Sequence, residues 1–328
     1  MPSPESASPC NLAWASLVRR SIEAWGSLFP ERRLEKGFLE RPTSLDDFLG
    51  QPRGLPMFWF FQRREAFFSQ QAMTKWSRDR LDDYILLPAT PGYVTKDECF
   101  FVSHFWHSHD DPDPDGEYLR LIQDELRPHD WGYVWVDWSC IPQTPRNQHE
   151  EHYFTRSLQT MSGIIRNSGF MWYYPPFQPR LWILYEMAEY YLTHDGGISV
   201  TEDSRQFGEH IVEMLEVGVR PTLEKHGYRC SYDRDQEFLT VWLEYLILFK
   251  TLGFSTDDIV RFQNQITWHP SVQWAYIGTI KGMVELCRYE GTLKVGGKCY
   301  QLAPLPHWED GKYSANIKPE SKEDVVNE

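Results

Sequence analysis

The sequence predicts an α/β domain over residues 97–195, built on a parallel sheet and flanked by helical N-terminal and C-terminal extensions. The first observation is three compact β-prone runs, CFFVS (99–103), YVWVD (133–137) and GFMWYY (169–174). The second is the helical patterning that follows each run: EYLRLIQDEL (117–126), FTRSLQTMSGIIR (154–166) and LWILYEMAEYYL (181–192). Alternation of strand and helix implies parallel strands joined by covering helices. Ligands of open α/β sheets bind at the carboxyl ends of the strands, so the segments after Ser103, Asp137 and Tyr174 are where function is expected.

The flanking regions read differently. Residues 1–10 are rich in Pro and Ser and are expected to be disordered, and NLAWASLVRRSIEAWGSLF (11–29) has the spacing of an amphipathic helix. Residues 30–96 mix short helical patterns, SLDDFLG (44–50) and MFWFFQRREAFF (57–68), with Pro and Gly breaks; Trp59, Phe60 and Phe61 read as a core patch. Together 1–96 form the expected N-terminal helical extension. Residues 196–308 are expected to be mainly helical, through 205–226, 235–253, 256–266 and 273–288, and to close with a hairpin, TLKVGGKCYQL (292–302), turning at Gly296–Gly297. The charged tail 309–328 is expected to be disordered.

Composition narrows the function. A hydrophobic content of 41%, with 15% aromatic, supports a substantial core. A formal net charge of −14 argues against nucleic acid as a partner, because a phosphate backbone requires a positive surface. A small anionic ligand stays compatible, since local charge can differ from the average. The six cysteines, Cys10, Cys99, Cys140, Cys230, Cys287 and Cys299, form no CxxC pair and read as reduced thiols. With neither a signal-peptide pattern nor a long apolar run, the chain is expected to be soluble, cytoplasmic and without a membrane partner. It carries no GxGxxG or GxxxxGK[ST] phosphate loop.

Three segments carry chemistry. The first, Ser103-His104-Phe105-Trp106-His107-Ser108-His109-Asp110, offers three histidines, but zinc ligands normally converge from separated segments and no metal is expected. The following Asp111-Pro112-Asp113-Pro114-Asp115-Gly116 starts like a calcium loop, yet its twelfth position is Ile122, so its last acid is expected to cap the next helix. The second segment, Val134 to Gln143, ends a strand in a polar and aromatic loop. There Asp137 is either a ligand-facing carboxylate or a loop anchor, and Cys140 is either a nucleophile served by His149 or His152 or a packed thiol. In the third, Trp182 and Glu186 share a helical face, either as a ring platform with a cation-steering carboxylate or as part of a surface salt bridge.

The order CFFVSHFW, helix, VWVDWSCIPQ, helix, RLWILYEMAEYY resembles the fungal heterokaryon-incompatibility (HET) domain and, more distantly, the Toll/interleukin-1 receptor (TIR) domain. Ser103 and Trp106 match the serine and tryptophan of the HET opening strand motif, and Asp137, Cys140, Ile141 and Gln143 match its D-x-x-C-I-x-Q pattern. Trp182 and Glu186 match the tryptophan and glutamate of the TIR motif typified by WCLDEL. Two departures are Phe105, where many TIR domains carry arginine, and Ile183, where the motif has cysteine. The resemblance covers about 100 of the 328 residues.

It implies a flavodoxin-like fold of fungal origin, able to self-associate, that cleaves the nicotinamide–ribose bond of NAD or NADP as hydrolase or cyclase. Glu186 would be the catalytic residue, stabilising an oxocarbenium-like transition state. The expected substrate-binding set is Ser103, His104, Trp106, Asp137, Trp138, Ser139, Cys140, Trp182 and Tyr185. NAD enters as substrate, with no further cofactor. Two other readings are a non-enzymatic, self-associating TIR/HET-type signalling or cell-death module, and a nucleoside or nucleotide glycosyltransferase using the same carboxylate.

Overall fold

The computed structural model describes residues 9–26, 33–52, 55–174, 176–195, 201–230, 232–268, 274–288, 290–305, 307–309 and 312–314. Of the tails expected to be disordered, 1–8 and 315–328 lie outside the described residues, whereas residue 9 already begins a helix. The chain divides into two compact units, Met1–Tyr173 with Thr267–His269 and Tyr174–Ile266 with Pro270–Glu328. The division falls inside the stretch 97–195, so the third expected helix belongs to the second unit.

The first unit contains α1 (Pro9–Gly26), α2 (Arg33–Glu40), α3 (Leu45–Leu49), β1 (Phe58–Arg63), α4 (Arg64–Phe68), a 3-10 helix (Arg78–Asp83) and β2 (Tyr84–Pro88). It continues through β3 (Cys99–His104), α5 (Glu117–Leu126), β4 (Tyr133–Val136), α6 (Asp137–Cys140), α7 (Gln148–Thr160), α8 (Ser162–Asn167) and β5 (Gly169–Tyr173). Its five strands form one mixed sheet in the order β2-β1-β4-β3-β5. The three strands read from sequence are its parallel part: Phe101 pairs with Trp135 of β4 and with Phe170 of β5. Those three rings stack across the strands at 4.9 and 5.6 Å, which fixes register as well as burying area.

The N-terminal region is not purely helical, because β1 and β2 pair antiparallel and extend the sheet beyond β4. Phe58 to Phe61 are all buried, so the two-residue alternation that marks a half-exposed strand is absent from this segment. As an edge strand, β2 presents open backbone groups, and α1 closes them. Ser21 Oγ accepts from Leu86 N at 2.8 Å, Trp25 Nε1 donates to Leu86 O at 3.0 Å, and Arg20 donates to Tyr84 O. Ser21 and Trp25 are one helical turn apart, so a single face of α1 meets both groups of Leu86.

The second unit holds α9 (Leu181–Leu192), α10 (Glu202–Val217), α11 (Val219–His226), α12 (Asp233–Thr251) and α13 (Thr256–Trp268) up to Ile266. It ends in β6 (Trp274–Ile277), β7 (Gly282–Cys287), β8 (Thr292–Val295) and β9 (Lys298–Gln301), followed by the short pair β10 (His307–Glu309) and β11 (Lys312–Ser314). Residues 273–288, expected as helix, are therefore strands where described, and β6 through β9 make an antiparallel sheet. Burial alternates residue by residue in β6 and β7, and Gly278 and Gly282 bracket the turn between them. The expected hairpin turns at Gly296 and Gly297, both with positive φ, 54° and 82°, the geometry a two-residue turn requires.

Replacing Ser21 by alanine leaves the buried Leu86 N–H without its acceptor. We expect a loss of about 1–3 kcal/mol of stability, seen as a lower urea midpoint at unchanged m. An unchanged midpoint would show that α1 does not seal this edge.

Candidate functional site

The carboxyl ends of β3 and β4 meet at one carboxylate. Asp137, the residue directly after β4, accepts from His104 Nε2 through Oδ1 at 3.0 Å and from Trp106 Nε1 through Oδ2 at 2.9 Å. Its Oδ1 also accepts from the Trp138 backbone N at 2.6 Å. Because a carboxylate only accepts, the His104 Nε2 facing it is the nitrogen that carries a proton. His104 Nδ1 is buried and has no hydrogen-bond partner among the described residues. The imidazole stacks on Trp106 at 6.4 Å, and Trp106 meets Trp138 edge to face at 5.3 Å. The Asp137 side chain stays 30% exposed, against 1% for His104, so the carboxylate is the group a ligand can reach. Trp106 is half-buried beside it.

The turn after β4 is braced from the N-terminal region. Ser139 Oγ donates to Thr74 O at 2.7 Å, Tyr84 OH donates to Ser139 O at 2.7 Å, and Trp76 N donates to Trp138 O at 3.0 Å. Gln143 Nε2 donates to the carbonyls of Asp137 and Ile141. In the D-x-x-C-I-x-Q pattern, then, the aspartate is displayed and the glutamine fastens the turn that displays it. Cys140 is fully buried, its thiol directed at Val134 O and its pKa pushed up to about 12 by burial. A nucleophilic role is thereby corrected: a thiolate is disfavoured there, and the thiol cannot be reached. His149 pairs instead with Asp46, and His152 bonds Gln51 O.

Several expected contact residues are structural. Ser103 and Ser139 are 0% exposed, Tyr185 is 1% exposed and Trp138 is 5% exposed, so none of these side chains offers a ligand more than an edge. The histidines of 104–109 do not converge: His104 bonds Asp137, His107 stacks on Tyr118 at 5.1 Å, and exposed His109 faces Asp110. Among the described residues no group of three or more His, Cys, Asp or Glu is placed to hold a metal ion. The acid capping α5 is Asp113, not the last one, Asp115. The Asp113 carboxylate accepts from Tyr118 N at 3.0 Å and Leu119 N at 2.8 Å. Tyr118, thus fixed, packs its ring near His104.

Trp182, Tyr185 and Glu186 lie on α9 in the second unit. Trp182 Nε1 donates to Asp235 Oδ2 at 3.3 Å, and its ring meets Tyr185 edge to face at 5.7 Å. Glu186 is half-buried. The deeply buried acid of this helix is Glu189, 0% exposed, which accepts from Trp242 Nε1 at 2.7 Å. The sequence signal that could have marked it as inward-facing is its helical spacing from Tyr185, four residues before, and Leu192, three after, both buried.

Truncating Asp137 to alanine strands two side-chain donors, on His104 and Trp106. The expected cost is about 2–4 kcal/mol in unfolding free energy, with Asp137→Asn milder because one acceptor oxygen survives. Equal stability of the wild type and both variants in urea would show that the carboxylate organises nothing. Compared with protein-family models, with curated proteins and with solved structures, the chain matches none.

Proposed function

We propose that the chain binds a nucleotide at the carboxyl ends of β3 and β4 and cleaves the N-glycosidic bond of NAD or NADP, as its TIR/HET-like motifs imply. The observation that carries the binding half is the partly exposed Asp137 carboxylate, held beside the indole of Trp106 at the end of the parallel strands. A carboxylate suits ribose hydroxyls, which are donors, and a half-buried indole beside it offers apolar ring surface to a flat heterocycle. In the cleavage half, the C1′–N bond breaks with its electron pair leaving on nicotinamide. The TIR-like motif match alone assigns Glu186 to stabilise the resulting oxocarbenium-like cation, with water adding at C1′ and losing a proton; this half rests on the motif and not on the geometry around Asp137. In a cyclase or glycosyl transfer, another nucleophile takes the place of water.

A second reading, a self-associating signalling module, is favoured by one observation. Trp274, Tyr276 and Met283 lie 65%, 55% and 51% exposed on one face of the β6–β9 sheet, an apolar surface that a second copy of the chain would cover.

The experiment is nicotinamide release from NAD, followed by chromatography, for the wild type, Glu186→Ala and Asp137→Asn. We expect release by the wild type, a fall of at least a hundredfold in Glu186→Ala at unchanged fold, and a raised KM in Asp137→Asn. Glu186 and Asp137 belong to different compact units, so the two variants test the two halves separately. An inert wild type, including at concentrations where it self-associates, would overturn the cleavage and leave the signalling module.

A further inference from the structure

The segment 74–76 contributes more than a brace. Thr74 O and Trp76 N are tied to Ser139 and Trp138, and the side chain of Lys75 emerges between these two bonds. Its ammonium lies 5.2 Å from the Trp138 ring centroid, and Nζ donates to Thr144 O. No carboxylate pairs with Lys75 among the described residues, although the chain has 47 acids against 33 Lys and Arg. The nearby cation Arg146, by contrast, is spent on Glu151 and on the face of Phe154. A run of contacts therefore leads from an uncompensated ammonium over Trp138 to Trp106 and ends on the Asp137 carboxylate.

We propose that Lys75 is the phosphate-binding residue of this site and that the ligand class is a nucleoside diphosphate, its phosphates on Lys75 and its ribose hydroxyls on Asp137. This rests on the nucleotide reading of the Asp137 site. An ammonium carries three donors, and Thr144 O engages one of them, so two remain for anionic oxygens, which form stronger, charge-assisted bonds than a neutral carbonyl does. The two charged ends form no ion pair with one another, and the rings of Trp138 and Trp106 link them through successive contacts. A nucleoside without phosphates would meet only the carboxylate end. Lys75 lies outside the stretch 97–195 that resembles known domains, and no motif surrounds it. It is brought beside the turn after β4 because β1 and β2, the strands on either side of it in sequence, share a sheet with β4.

The test is equilibrium binding by calorimetry of two probes, ADP-ribose and adenosine, to the full chain in low salt, for the wild type, Lys75→Gln and Lys75→Arg. The wild type should bind ADP-ribose at least tenfold more tightly than adenosine, with the preference shrinking as salt rises. Lys75→Gln should erase most of that preference while changing adenosine affinity less than twofold, and Lys75→Arg should retain it. A Lys75→Gln variant that keeps the wild-type preference overturns the role of Lys75 and leaves the nucleotide reading standing. Binding of neither probe by the wild type overturns the nucleotide reading itself, and the inference with it. Lys75 is partly exposed and carries no buried contact, so matched thermal unfolding of the variants separates loss of binding from loss of fold.

Discussion

Asp137 is the constraint on which the rest of the first unit's site depends. One carboxylate takes the imidazole that ends β3, the indole of Trp106 and the first backbone N–H of the turn after β4. Donors from two adjacent parallel strands are thereby fixed to a single point, and the loops beyond them cannot part without stranding buried polar groups. The side chain nevertheless stays 30% exposed, and three accepted bonds do not use all of a carboxylate's lone pairs. The same group thus anchors the turn and stays accessible, so the anchor role that spacing left open for it is seen directly, and the ligand-facing role is the one proposed above.

That arrangement holds because its surroundings are rigid. The stacked ladder of Trp135, Phe101 and Phe170 sets the register that places His104 opposite Tyr173 and brings the strand ends level. Burial and the Glu125 carboxylate keep the Tyr173 phenol well above its ordinary pKa, so it acts as a donor to Glu125 and ties β5 to α5. On the other side, Thr74, Trp76 and Tyr84 clamp the turn from Trp138 to Ser139. Residues 58–88 are therefore part of the site's frame, and α1 seals the outer edge of that frame at Leu86.

Much of this was legible in sequence where a local pattern carries the information. CFFVS, YVWVD and GFMWYY announce their strands by β-branched and aromatic residues, and the Gly296–Gly297 turn announces its hairpin. Phe58 to Phe61 were ambiguous because burial on both faces removes the alternation, and β6 and β7 because each strand is shorter than the window over which periodicity is read. At the site, the clustering of Asp137 with His104 and Trp106 follows from strand ends lying side by side, which the strand-helix alternation predicts. Lys75 was invisible, since its position depends on an antiparallel addition to the sheet. Cys140, which shares its motif with Asp137, is fully buried with its thiol against Val134 O, a difference in burial that the spacing of the motif does not announce.

The central claim, that a nucleotide is recognised at the carboxyl ends of β3 and β4, can be read at a single atom. The indole N–H of Trp106, assigned by comparison with Trp106→Phe, would be followed in 15N-labelled protein as ADP-ribose is added. A saturable shift of that resonance is expected in the wild type, lost in Asp137→Asn. A Trp106 resonance that stays fixed while the indole signal of Trp182 or Trp274 moves would contradict the claim, because recognition would then lie elsewhere in the chain.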